Sequence, residues 1–232
     1  PRPSLWANFW SAERSRWAYP TLDYFLSDVT DILREEVEEL VRLGATYIQI
    51  DAPHYALLID PRTRAFYEAH GWDLDRWLAM GIELDNAVMG HFPGLTFGFH
   101  LCRGNQGSRW LLQGDYLSIA ERIFKQILAQ RLFLEYDDSR SGSFEFLQEV
   151  PEDKVAVLGL VSTKTPHLET WQELQARIHQ AALDILEQIG LERAIPSSIE
   201  LITNAGGTLT DTGRLLFPRG LVEDTISAAG RN

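Results

Sequence analysis

The sequence predicts an α/β fold on parallel strands, either a (β/α) barrel or an open doubly wound sheet. Three observations carry this reading. Short apolar runs alternate about six times with longer stretches of helical periodicity. Most of the runs hold Val, Ile, Leu and Phe on both faces, as strands covered on both sides require. Asp51, His100, Cys102 and Glu135 fall at the ends of those runs, where both architectures bind ligands.

The elements follow in order. Residues 5–9 (LWANF) read as a first strand. Over 21–43, Leu22, Phe25, Leu26, Val29, Ile32, Leu33, Val37, Leu40 and Val41 recur at three- and four-residue steps, with Thr21 to cap the start and Gly44 the end. Strand 46–51 (TYIQID) comes next, then a helix over 73–91 and strand 95–101 (LTFGFHL). A shorter helix over 117–129 leads to strands 131–135 (RLFLE) and 154–161 (KVAVLGLV). The stretch 168–189 repeats helical logic with Leu168, Trp171, Leu174, Ile178, Ala182, Ile185 and Ile189, and Gly190 ends it. A last strand is expected at 199–203 (IELIT). It lies in a turn-rich segment of weak periodicity from 194 onward, expected to end in a loose tail. Six strands fall short of the eight of a closed barrel. There is no glycine-rich phosphate loop of the dinucleotide or Walker type, no internal repeat and no clear linker. The expectation is one domain over 1–232, with a divergent segment at 194–232.

Composition narrows the class. The chain has 232 residues, 45% of them hydrophobic, with seven Trp and eleven Phe, which suffices for a sizeable core. A net charge of −12 repels phosphate backbones and anionic lipid, which argues against nucleic-acid and membrane-surface roles. The start (PRPSLWANFW) lacks the pattern of a signal peptide, and no run approaches eighteen apolar residues. Beginning without Met and close to an apolar segment, the sequence reads as a trimmed or partial chain. A single cysteine excludes an internal disulfide framework and fits a reducing compartment, so a cytoplasmic location is expected.

That cysteine stands in FGFHLCRGN. His100 and Cys102 are two apart on a strand, so their side chains share a face, with Cβ atoms roughly 6–7 Å apart. Zinc bonds of about 2.0–2.1 Å to imidazole and 2.3 Å to thiolate span such a gap, and a metal would keep the thiol deprotonated. Glu135, ending the next strand, is placed to add an oxygen ligand. A buried cysteine beside a hydrogen-bonded histidine accounts for the pair alone equally well.

Further motifs add to this. YIQID, HLCRGN, FLEYDD with RSGSFE and VLGLVSTKTPHLE, in this order and spacing, resemble the C-terminal catalytic barrel of cobalamin-independent methionine synthase, and most of all its short, single-barrel relatives. The likeness runs from about residue 4 to 193. It implies a TIM barrel that lacks the family's first two strands. It implies a Zn2+ methyltransferase moving a methyl group to a thiol of the homocysteine type, with methyl-tetrahydrofolate among the donors. It also implies zinc ligands at His100, Cys102 and Glu135, and amino-acid substrate contacts near Asp51 and the YDDSRSG loop. On that basis Asp51 and Asn105 are the candidate catalytic residues, and Asp51, His54, Ser139 and Arg140 the candidate substrate contacts.

The chain departs from the family in three places. The family's fourth ligand, a cysteine before a glycine on the last strand, matches Ala205 in TNAGG. IDEP reads IDAP, so Ala52 replaces an acid. The tail after 205 does not match. Two other readings therefore stay open: a metal-free relative serving as a binding or assembly module, and alkyl or C–S transfer to another small thiol. Exposed barrel edges make a homodimer an expectation as well. The ordinary alternatives are a salt bridge from Glu135 to Arg103 or Arg140, helix capping for Asp51, a turn for Asp137–Arg140, and a solvated loop lysine for Lys164.

Overall fold

The computed structural model describes residues 10–90, 92–104 and 107–229. These form two compact units. One comprises the chain to Gly142 together with Glu149–Thr165, and the other Ser143–Gln148 and the chain from Pro166. The expected strand 5–9 and Asn105 lie outside the described residues.

The first unit carries four parallel strands, β1 (Tyr47–Asp51), β2 (Thr96–Leu101), β3 (Arg131–Glu135) and β4 (Val155–Gly159). They pair strictly in chain order, β1-β2-β3-β4. A doubly wound sheet reverses its order at a switch point, whereas successive parallel neighbours are the arrangement of a (β/α) barrel. The helices are α1 (Leu22–Arg42), α2 (Pro61–Ala69), α3 (Leu74–Met89) and α4 (Leu117–Gln126). As expected, the Thr21 side chain caps α1 by accepting from the Tyr24 N–H. Gly44 closes it at φ +99°, and the Gly44 N–H reaches the Val41 carbonyl.

Side chains alternate across a strand, and here the two faces differ. Ile50, Phe97, Phe99, Leu101, Leu132 and Leu134 are buried. Their face shares the core with Leu26 of α1, Leu78 and Ile82 of α3, and Ile119, Ile123 and Phe124 of α4, which are also buried. Burying each such side chain contributes about 1.5–3 kcal/mol. The opposite face carries Tyr47 and Val155 at 43% and 49% exposure on the two edge strands. So one face of the sheet carries the core, the other is exposed at its edge strands, and the sheet does not close among the described residues, where the sequence suggested strands covered on both sides.

The second unit corrects the reading of the tail. Residues 199–203 are not a strand but part of helix α6 (Pro196–Asn204). A short apolar run does not distinguish strand from helix by itself. Pro196 at the first helical turn favours the helix, because its missing N–H costs nothing there. Ala205 is the C-cap of that helix and does not stand at a strand end, so it cannot be matched to a strand-borne ligand. The segment beyond is ordered too. An antiparallel hairpin, β5 (Thr208–Leu209) with β6 (Leu215–Leu216), leads to α7 (Arg219–Ala228). Its longest helix, α5 (Trp171–Gln188), starts with a capping box of Thr170 and Glu173. Arg214 from the hairpin donates to the Ile189 carbonyl at 2.7 Å and pairs with Glu192 at 3.0 Å, which ties the end of α5 to β6. Gly190 is required there. It adopts φ +65°, and a Cβ would run into the Leu215 backbone.

Asp60 joins the loops at the C-terminal end of the sheet. It caps α2 through the N–H groups of Arg62 and Thr63 and also accepts from Gln113 N–H at 3.1 Å. Burial opposes its charge, but these donors outweigh burial and hold the carboxyl below its ordinary value of 3.8. A depressed carboxyl contributes stability above its unfolded pKa, and the contribution fades as pH falls through the folded value. Asp60→Ala is therefore expected to cost about 1–2 kcal/mol at pH 7, with the gap from wild type narrowing below pH 3.8. Urea unfolding across pH checks this; a gap that does not depend on pH contradicts it.

Candidate metal centre

The strands deliver their terminal side chains to one place. Asp51 and His100 are register partners across β1 and β2, so their side chains emerge together. The His100 Nδ1–H donates to Asp51 Oδ1 at 2.7 Å. This turns Nε2 toward Glu135 Oε1, 4.0 Å away. Cys102 follows one residue beyond β2. Ligand atoms of Asp51, His100 and Cys102 lie within 4.8 Å of one another, so the two-residue spacing does place imidazole and thiol on one face. Glu135 also stands near enough to Cys102 for its charge to bear on the thiol.

Glu135 has a different salt-bridge partner from either arginine proposed for it. Lys164, from the loop after β4, reaches Glu135 Oε2 at 3.4 Å and Asp137 Oδ2 at 2.9 Å, with only 10% of its side chain exposed. It is thus a fixed member of the site and not a solvated loop residue. Burial pulls the Lys164 ammonium down, but the two carboxylates prevail and hold it above its usual range. Burial likewise opposes the charge on Asp137, and Ser162 and Lys164 overcome it and keep that carboxyl low.

The chemistry of the donor set fits a divalent cation. An imidazole, a thiol and carboxylates lie together, the donor types that bind zinc. The local charge is unbalanced as well. Burial first, and then the charges of Glu135 and Asp51, push the Cys102 thiol up to about 11, although the Gly104 N–H reaches Sγ at 3.1 Å. A cation at this point would offset both carboxylates and hold the thiolate.

The other predicted residues are placed differently. His54 sits in the 3-10 turn Pro53–Leu58 and lines a small pocket with Leu57, Leu58, Tyr67, Trp72, Leu74 and Trp77, none of them in the cluster. Ser139 and Arg140 form a tight turn capped by Asp138. Arg140 pairs with Asp138 and lies 4.7 Å over the Trp110 ring, so its charge is already engaged. Asp51, expected to touch substrate, accepts a hydrogen bond from His100.

Comparison with known proteins accords with this architecture. Over 214 residues the chain is 30% identical to the uncharacterized protein YxjH of Bacillus subtilis (strain 168), covering 91% of this chain and 55% of that protein. It is 26% identical over 164 residues to the methionine synthase of Pyrococcus abyssi, covering 70% of this chain and 40% of that enzyme. In fold, it matches a B12-independent methionine synthase from Shewanella sp. W3-18-1, solved in complex with selenomethionine, with a TM-score of 0.52 at 18% identity, over 91% of this chain and 58% of the other. The chain is thus distantly similar in sequence to a methionine synthase and shares its fold with a B12-independent one. It spans about half the length of the curated relatives YxjH and YxjG. The trimethylamine methyltransferase (MTTB) family model matches residues 145–232. Among the described residues no helix is long and apolar enough to cross a membrane.

The raised thiol gives a test specific to this site, because Cys102 is the chain's only cysteine. At pH 8 without metal, its alkylation by iodoacetamide should run on the order of a hundredfold slower than that of an unhindered cysteine peptide, as the thiolate fraction falls by about that factor. Glu135→Gln and Asp51→Asn should each speed it. Rates that stay the same in both variants contradict the electrostatic account.

Proposed function

We propose that the chain is a zinc-dependent methyltransferase that moves a methyl group to a small thiol of the homocysteine type. The observation that carries the reading is that ligand atoms of His100, Cys102 and Asp51 lie within 4.8 Å of one another, with Glu135 Oε1 4.0 Å from His100 Nε2; the proposed ligands are His100, Cys102 and Glu135. Those three side chains would hold the metal. Asp51 would hold His100 through Nδ1 and leave Nε2 for the cation, an arrangement common around metal-bound histidines. Zinc bound there would supply Lewis acidity that keeps an acceptor thiol deprotonated at neutral pH.

The chain's own residues do the rest. The Lys164 ammonium fixes Glu135 Oε2 and leaves Oε1 turned toward His100. Asp51 and His100 keep 52% and 27% of their side chains exposed, which leaves the site reachable from solvent. The acceptor sulfur would attack the methyl carbon in line. A bond from sulfur to carbon would form as the bond from carbon to the donor breaks, with the electron pair leaving on the donor. Methyl-tetrahydrofolate is the donor to test first.

Protein purified without chelator should carry close to one zinc per chain, and Cys102→Ser and His100→Ala should lose zinc and thiol methylation together. Asp51→Asn should retain the fold and weaken zinc binding about 10–100-fold. Zinc content near zero in the wild type contradicts this reading and favours the metal-free binding module.

A further inference from the structure

The hydrogen-bonded register of β2 with β3 ends at Leu101 and Leu134. The next residues along are Cys102 and Glu135, both in the proposed metal site. No main-chain bond spans them; a side chain does. Tyr116, just before α4, has its ring fully buried. Its hydroxyl donates to the Leu101 carbonyl at 2.9 Å and accepts the Glu135 N–H at 3.1 Å. One oxygen thus joins the residue before Cys102 to the backbone of Glu135.

That oxygen is itself fixed. Arg103, only 1% exposed, lies 4.5 Å over the Tyr116 ring and approaches the hydroxyl with Nε at 3.4 Å. Its other nitrogens donate to the carbonyls of Gly114, Arg140 and Ser141. The guanidinium therefore gathers the loop before α4 and the turn after β3 around the tyrosine. Ser141 Oγ closes the far side by donating to the Glu135 carbonyl at 2.8 Å.

We propose that the Tyr116 hydroxyl is a positioning group that sets the separation of Cys102 and Glu135, and with it the affinity of the site for a divalent cation. The inference rests on the zinc reading above. A ring that served packing alone would need no hydroxyl. A hydroxyl that only satisfied the strand ends would affect stability and leave metal affinity alone.

The test is Tyr116→Phe in the full chain, which keeps the ring and removes the bridge. Zinc affinity is measured at 25 °C by competition with a chromophoric chelator, beside the melting temperature of the metal-free protein. The expected result is a zinc dissociation constant 10–100-fold above wild type, and a cobalt-substituted protein whose visible spectrum differs from wild type in position or intensity. Ile123→Val, a buried change on α4, serves as the packing control and should lower the melting temperature without moving zinc affinity. Wild-type zinc affinity and cobalt spectrum in Tyr116→Phe overturn the proposal. Should that variant fail to fold, amide exchange in the wild type decides. The Glu135 N–H is expected to exchange slowly and to slow further with zinc; fast exchange that zinc does not alter overturns the proposal. If wild-type protein binds no zinc, it is the zinc reading that fails, and the two failures are told apart by that measurement.

Discussion

The site depends on one constraint, the parallel register that sets Asp51 opposite His100. Parallel pairing leaves no freedom of face: a slip of one residue would turn every side chain of the strand to the other side. With this register, a carboxylate and an imidazole emerge as neighbours at the strand ends, and the hydrogen bond between them fixes the ring. The thiol two residues on is then brought to the same place. No loop needs to close around these three groups, because the sheet itself presents them.

The bonds around this register divide the work. Tyr116 and Arg103 hold the ends of β2 and β3 from beneath. Lys164 holds Glu135 and Asp137 from the side of β4. Each is buried or nearly so, and each joins groups from different loops. A cluster rich in carboxylates would repel itself if unsupported. Here one lysine beside two acids leaves a local negative charge suited to a divalent cation.

Much of this was legible in the residues. The four strands of the sheet and the helices at 22–42, 74–89 and 171–188 follow from apolar periodicity and end signals such as Thr21, Gly44 and Gly190. The spacing of His100 and Cys102 implied a shared face, and the structure brings them together. Other features had no local signal. Tyr116 lies fourteen residues after Cys102 in an irregular loop, and only tertiary folding returns its hydroxyl to Leu101. The pairing of Asp51 with His100 needs the register, which sequence does not print. Lys164 looked like any loop lysine because its two partners belong to the end of another strand. The misread strand at 199–203 had the opposite cause: a β-rich local composition, overridden by Pro196 and by the hairpin and helix that follow.

The central claim is that Cys102 and its imidazole neighbour share one zinc ion at the strand ends. X-ray absorption at the zinc edge tests it most directly, since the chain has a single sulfur of this kind to offer. The account predicts one zinc–sulfur distance of about 2.3 Å and nitrogen or oxygen ligands at about 2.0–2.2 Å. A first coordination sphere of oxygen and nitrogen alone, with no sulfur, would contradict it.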